Sequence, residues 1–297
     1  MPLSKFAVAS IALPIVLAVS TAFAQPLLRA APPAQNRSTL AEKSTPPSLL
    51  LDSGVQAHRI ALTPPSGAEL ERLKARNAQP LSPKVQRVKS RALAIAFGRA
   101  VPASAASIAL RALPWQTLQD GSRAARIEIA SPGAAALRVA LRMPVSDPDL
   151  EVRFGGTVAG APTFGPVPAN RIAGDSIDYG MYWSPVIAGE VAVLELHAGT
   201  STVIDGEQLQ VAMVSHQVVG PADLKSAAAK LVEDIGTAGS CNVDIKCRPQ
   251  TPGLVNQSKA VAEIEITQDD GETVLCTGQL LNDTGQTLTP WFFTANH

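Results

Sequence analysis

Polar and apolar positions settle into a period of two from about residue 84. In residues 136–142, Leu137, Val139 and Leu141 fall on one side and Arg138, Ala140 and Arg142 on the other; residues 126–130 alternate likewise around Ile127 and Ile129. Residues 191–197 and 208–216 repeat the pattern, with Leu194 and Leu196, then Leu209, Val211 and Met213, on the inward phase. Turn signals separate these runs: Asp120-Gly121, Ser131-Pro132-Gly133, Asp147-Pro148, Gly155-Gly156, Ala188-Gly189 and Asp205-Gly206. Half-buried strands at this spacing predict an all-β fold, an antiparallel β-sandwich over residues 84–220. Residues 222–233 then predict a helical connector.

A second β pattern opens after residue 255. Ala262, Ile264 and Ile266 alternate with Glu263 and Glu265, Asp269-Asp270-Gly271 makes a turn, and residues 273–281 return, which predicts a hairpin. The chain then passes through Trp291-Phe292-Phe293, an apolar run expected to belong to a domain not finished within these 297 residues. Before residue 84 the periodicity is lost. Residues 25–83 hold nine prolines and predict an extended leader, interrupted by one helix: Ser66 with Glu69 forms a capping box, helix formers follow to about Asn77, and Pro80 ends the run.

The first residues read as an export signal. Lys5 supplies the positive start, residues 6–20 the apolar run, and Ala22-Phe23-Ala24 the small-x-small site, so cleavage is expected after Ala24. Pro14 and the short run argue against an uncleaved membrane anchor, and no membrane association is expected after signal removal. The expected location is extracellular or periplasmic. Cys241, Cys247 and Cys276 then sit in an oxidising compartment, where an odd count leaves at least one thiol without an internal partner.

Composition narrows the class. Hydrophobic residues are 46% and charged residues 17%, which excludes a disordered chain, and proline with glycine lacks collagen spacing. Formal net charge is zero, but residues 25–126 carry +10 and residues 127–297 carry −11. Residues 72–99 contain eight basic and no acidic residues, with Phe97 as their one aromatic. Such a run reads as a solvated face or as a surface docking onto the acidic remainder, not as a nucleic-acid groove.

The residues that carry chemistry come last in the chain. Cys276-Thr277-Gly278-Gln279-Leu280 is followed, after a short loop, by Phe293-Thr294-Ala295-Asn296-His297. Upstream, Gly236-Thr237-Ala238-Gly239-Ser240-Cys241-Asn242-Val243-Asp244 is followed by Cys247. This pairing resembles the trypsin-like serine endopeptidases, and the upstream run resembles the start of the mature chain in the bacterial lysyl endopeptidase branch. The resemblance implies that His297 is the general base, and that Cys241, Cys247 and Cys276 pair with cysteines beyond residue 297. It also implies that residues 236–297 are the first strands of a chymotrypsin-like double β-barrel. Residues 84–220 look like the prodomains of that branch, through Trp115 to Leu118 with Asp120-Gly121, Ile127-Glu128-Ile129 with Ser131-Pro132-Gly133-Ala134, and Tyr182-Trp183-Ser184-Pro185 leading to Gly189-Glu190. The implied role is to assist folding and keep the enzyme latent, so the implied partners are protein or peptide substrates and the chain's own protease domain.

The resulting expectation is a signal at 1–24, a Pro-rich leader at 25–83, a β-sandwich prodomain at 84–220, a helical linker at 221–235 and a truncated protease domain at 236–297. Ile235 precedes Gly236 where a basic residue would suit self-cleavage, and Lys230 is the nearest basic alternative. No Gly-Asp-Ser-Gly sequence occurs, so the nucleophile is missing and the chain as given is expected to be inactive. No cofactor or metal is expected: zinc on Cys241, Cys247, Cys276 and a histidine would lack the usual short Cys-x-x-Cys spacing. His58, His197 and His216 read as surface or packing residues, Tyr182 and Trp183 as sandwich core, and Trp291, Phe292 and Phe293 as protease core. A competing reading is a secreted β-sandwich binding or folding-assistant module with a vestigial tail.

Overall fold

The alternating runs become two sheets that face each other. The computed structural model describes residues 46–78, 92–224 and 248–294, apart from 145, 146, 148, 286 and 288. The elements begin with β1 (Ala57–Ala61), α1 (Gly67–Ala78), β2 (Ala94–Ala100), α2 (Ala103–Ala106), β3 (Ser107–Ala109), β4 (Gln116–Thr117) and β5 (Arg123–Ala130). They continue with β6 (Ala136–Arg142), β7 (Leu150–Gly156), β8 (Phe164–Pro168), α3 (Ala169–Tyr179), β9 (Tyr182–Trp183), β10 (Ile187–Ala188), β11 (Val191–Ala198) and β12 (Gln208–Gln217). The last are α4 (Pro221–Leu224), α5 (Pro252–Ser258), β13 (Val261–Thr267), β14 (Thr273–Leu281) and β15 (Trp291–Thr294). The fold class is all-β.

The first sheet runs β1-β5-β11-β7-β8, with β4 added to β5; the second runs β10-β6-β12-β2-β14-β13, with β15 on β14, β3 on β12 and β9 on β6. All pairs are antiparallel except β1 with β5. Ile127, Ile129, Phe154, Leu194 and Leu196 from the first sheet meet Leu137, Val139, Leu141, Leu209, Val211 and Val214 from the second in one dry core. Each such side chain contributes roughly 1.5–3 kcal/mol by leaving water. Period-two alternation therefore marks the inward faces of β5, β6 and β11 as expected.

In β12 the phase is not constant. The pairing with β6 slips between Val211 and Met213, so Val214 rather than Met213 enters the core. A bulge adds one residue, and one residue moves every later side chain to the opposite face. Five of the expected turns do carry glycine at positive φ: Gly121, Gly133, Gly189, Gly206 and Gly271. Gly155-Gly156, read as a turn, instead ends β7. A Cβ on Gly155 would lie 3.2 Å from Leu49, and one on Gly156 2.7 Å from the Ala188 carbonyl, so close approach of neighbouring chain explains both glycines.

Residues 46–78, within the stretch read as a leader, join this fold. β1 adds a parallel strand to β5, and Leu51, Ile60, Leu62 and Leu73 are buried. The expected helix is α1. Ser66 and Glu69 form the capping box: the Glu69 amide donates to Ser66 Oγ, and Glu69 Oε2 accepts from the Ser66 amide and hydroxyl. Those bonds hold the Glu69 carboxyl below its usual pKa. Of the expected connector over 222–233, α4 is its described beginning; the rest lies outside the described residues.

The β13–β14 hairpin is not separate from the second sheet. Thr273 and Val274 pair with Ala96 and Ala94 of β2, and the Leu275 amide donates to the Leu93 carbonyl at 2.9 Å. Its Asp269-Asp270-Gly271 turn lies against Gly98, where an added Cβ would sit 1.8 Å from the Asp270 carbonyl oxygen. Glycine at 98 is what admits the turn.

Candidate functional site

The candidate site is the strand pair that leads toward His297. β14 and β15 are antiparallel, with Gly278 opposite Thr294, Gln279 opposite Phe293, Leu280 opposite Phe292 and Leu281 opposite Trp291. Thr294 Oγ1 donates to the Thr277 carbonyl at 3.0 Å, and Cys276 Sγ lies 3.6 Å from Thr294 Oγ1. Cys276 therefore faces the end of the strand from which residues 295–297 continue. Glycine at 278 has a steric reason, because a Cβ there would come within 2.3 Å of the Phe292 ring. The loop into β15 is held by Asp283, whose carboxylate accepts from the Thr287 amide and hydroxyl and from Trp291 Nε1 at 3.3 Å. These donors, Thr287 foremost, keep the Asp283 carboxyl below its ordinary pKa.

Trp291, Phe292 and Phe293 do not pack as core among the described residues. They are 54%, 45% and 60% exposed on β15, whose sole strand partner among the described residues is β14. His297, Cys241, Cys247, Ile235, Gly236, Lys230 and Ala24 lie outside the described residues.

Two serine–histidine contacts occur among the described residues, and neither has a nucleophile's chemistry. Ser122 Oγ lies 3.0 Å from His197 Nε2, with Glu151 3.7 Å from the other ring nitrogen, which superficially lines up serine, histidine and acid. The Ser122 hydroxyl is nevertheless committed to Asp120 at 2.5 Å, closing a turn, and Ser122 is buried. Ser131 Oγ lies 2.8 Å from His216 Nδ1 and accepts from Arg99 at 3.0 Å, again with no solvent access. His216 stacks on Phe97 at 5.0 Å; burial, then the Arg99 charge, pushes its pKa down to about 4, so the ring is neutral at pH 7. His58 is half-buried on β1. His216 thus acts as a packing residue, and Tyr182 also packs on the core, stacking on Phe154 at 5.9 Å.

Gly174-Asp175-Ser176 is the nearest sequence to a nucleophile loop. It lies on α3, where Ser176 Oγ donates to the Ile172 carbonyl at 2.6 Å and Asp175 pairs with Arg171. A helical serine bonded to its own backbone cannot serve as an exposed nucleophile. Among the described residues no group of three or more His, Cys, Asp or Glu side chains could hold a metal ion. No described helix is long and apolar enough to cross a membrane.

The alternation did not reveal the contact beneath the hairpin. Arg138 occupies the outward phase of β6, and the bulge turns Ser215 and Gln217 of β12 outward although they share the phase of Met213; Ser215 and Gln217 are nevertheless fully buried because the hairpin lies over them. A single glycine inside a strand pattern, Gly98, was the one available signal for such an approach.

Comparison with known proteins identifies relatives of the chain. A family model for the lysyl endopeptidase N-terminal domain matches residues 61–218, and one for the lysyl endopeptidase C-terminal domain matches residues 235–297. A lysyl endopeptidase of Pseudomonas aeruginosa is 30% identical over 228 residues, 74% of this chain and 45% of the relative. The chain thus spans less than half the length of that relative. No solved structure matches the chain.

Proposed function

Because the chain belongs to the lysyl endopeptidase family, we propose that it is the front part of an exported serine endopeptidase precursor acting on proteins or peptides after basic residues. Residues 1–24 are its signal, 25–83 its leader, 84–220 its prodomain, 221–235 its linker and 236–297 the opening of its double-barrel protease domain. The observation that carries this reading is the β14–β15 pair, with Cys276 facing the end of the strand that leads to Thr294-Ala295-Asn296-His297.

In that mechanism His297 takes the proton from a serine nucleophile, an aspartate orients its imidazole, and backbone amides stabilise the oxyanion. A base placed directly after a strand, with a disulfide through Cys276 to the neighbouring strand, is rigid enough for this role. The serine is absent from these 297 residues, so the chain as given forms no acyl intermediate.

Sequencing the locus past His297 tests the proposal. The expected next codon is cysteine, followed by two further cysteines, an aspartate and a Gly-x-Ser-Gly loop within about 200 residues. A stop codon at that position in a native transcript, or an open frame without that loop, refutes it and favours a secreted β-sandwich module. The purified chain is also expected to resist a fluorophosphonate probe, whereas stoichiometric labelling of one serine would contradict its inactivity.

A further inference from the structure

We infer that residues 61–218 hold the front of the protease domain by sheet completion, with the edge of β2 as the socket and the β13–β14 hairpin as the occupant. Naming the occupant a protease segment rests on the function proposed above; the contact itself rests on geometry alone. β2 offers an edge, and β14 fills it through the Thr273–Ala96 and Val274–Ala94 pairs and the Leu275–Leu93 hydrogen bond. An open edge of this kind is the usual receptor for an added strand.

Shape and chemistry then select this hairpin over any other strand. Gly98 leaves the notch into which Asp270 and Gly271 fit, and Gly271 is itself at φ +82°. Ser215 Oγ donates to the Gly271 carbonyl at 2.7 Å and lies 2.8 Å from Thr273 Oγ1, which is 2.7 Å from Thr267 Oγ1. Arg138 donates to Thr267 at 2.7 Å, Gln217 to Glu265 at 2.7 Å, and Arg76 makes two bonds to the Glu272 carboxylate at 3.0 and 2.7 Å. The cations come from the first region and the carboxylates from the hairpin. Of these contacts the Arg76–Glu272 pair sets the basic stretch 25–126 against the acidic remainder, whereas Arg138 itself lies within residues 127–297.

The contact grips the catalytic segment at a consequential place. Among the described residues β15 pairs with β14 alone, so holding β14 holds the strand that leads to His297. The grip uses the β14 edge and the polar side chains Glu265, Thr267 and Thr273. Ile266, Leu280 and Phe293 are left exposed, open to the rest of a protease core. Cutting the connector between residues 225 and 247 therefore does not release the hairpin; the strand pairing must also open.

The test uses the full 297-residue chain with a specific cleavage site engineered at residues 230–235. After cleavage the two pieces are expected to co-elute on gel filtration, with the Leu275 amide still protected from hydrogen exchange. Gly98→Val is expected to separate them and to lower that protection about tenfold or more. Because this variant can also perturb β2, a charge swap supplies an independent readout: Arg76→Glu and Glu272→Arg each weaken co-elution, and the double variant restores it. Separation of the unsubstituted pieces, or a double variant no better than the singles, overturns the inference. None of these readouts involves a nucleophile, so co-elution with no Gly-x-Ser-Gly downstream leaves the docking standing and the protease reading fallen, and separation with the loop present does the reverse.

Discussion

Removing the Glu195 carboxylate is the perturbation that most directly tests how residues 46–62 are held. Glu195 on β11 lies opposite Arg126 on β5, on the face of the first sheet away from the core, and both are buried by the segment around Leu51. The carboxylate accepts from the Leu50 and Leu51 amides, while Arg126 donates to the Leu51 and Asp52 carbonyls at 2.6 and 2.8 Å. Glu195→Ala leaves two amides without acceptors and a buried guanidinium without its counter-charge, 3.8 Å away in the intact protein. Breaking such a pair costs about 3–5 kcal/mol. Counting instead two hydrogen bonds to a charged group, each about 1.5–3 kcal/mol, describes the same loss with a similar total and is not added to it. About 4 kcal/mol is a large part of the 5–15 kcal/mol typical of a folded domain and corresponds to roughly 8–16 °C in Tm. Urea unfolding measures it, and limited proteolysis between residues 46 and 56 shows where the chain opens. The double variant Arg126→Met/Glu195→Leu is expected to recover only the part due to the uncompensated guanidinium, because the Leu50 and Leu51 amides and the Leu51 and Asp52 carbonyls stay without side-chain partners. A loss below about 1 kcal/mol for Glu195→Ala, or a double variant as unstable as the sum of the singles, would refute this account.

Two further predictions concern protons. His216 titrates near 4 in the fold against about 6.5 unfolded, so its contribution is complete above pH 6.5 and is lost as pH falls toward 4, by up to about 3 kcal/mol. His216→Gln should flatten the dependence of urea midpoints on pH over that window, with Arg99, Glu69 and Glu190 left in place around it; an unchanged slope would assign the dependence to other groups. Glu265 has its carboxyl pKa raised, chiefly by burial, so the docked hairpin favours the neutral form and loses stability as pH rises through the raised value. Glu265→Gln should therefore strengthen hairpin protection at pH 7 and have no effect near pH 4, while keeping the bond from Gln217. Weaker protection at pH 7 would mean that attraction to Arg138 outweighs the cost of burial.

The all-β class, the inward faces of β5, β6 and β11, five glycine turns and the capping box of α1 were legible because each depends on neighbours a few residues apart. The bulge in β12 was not, since one inserted residue changes phase without changing composition. Gly155 and Gly156 carried a correct message, close approach, that resembles a turn signal when the approaching Leu49 and Ala188 are unknown. The docking of residues 46–62, with Leu51, Ile60 and Leu62 buried, was hidden for a related reason. Its partners, Glu195 and Arg126, stand at outward positions whose charge argued for solvent, and only the tertiary fold brings the strap over them. The site itself was read from a motif, and the structure supplies a steric reason for Gly278 within it.

The docking of the hairpin is built mainly from polar groups, and this bears on how long it can last. Among its buried apolar contacts only Val274 joins a cluster, with Leu73 and Ala94. The rest is hydroxyl to hydroxyl, amide to carboxylate and guanidinium to carboxylate, contacts whose net worth is commonly about 0.5–1.5 kcal/mol for the neutral pairs and about 1.5–3 kcal/mol for those to a charged group, because water competes for every group. An apolar seam of equal extent would stabilise without regard to geometry and would compete for Ile266, Leu280 and Phe293, which the hairpin leaves exposed. Polar contacts instead fix register through Gly98 and Ser215, leave the apolar side unused, and yield their groups to water when strand pairing opens. For the prodomain role proposed above, a contact of this chemistry can open where a drier one would persist.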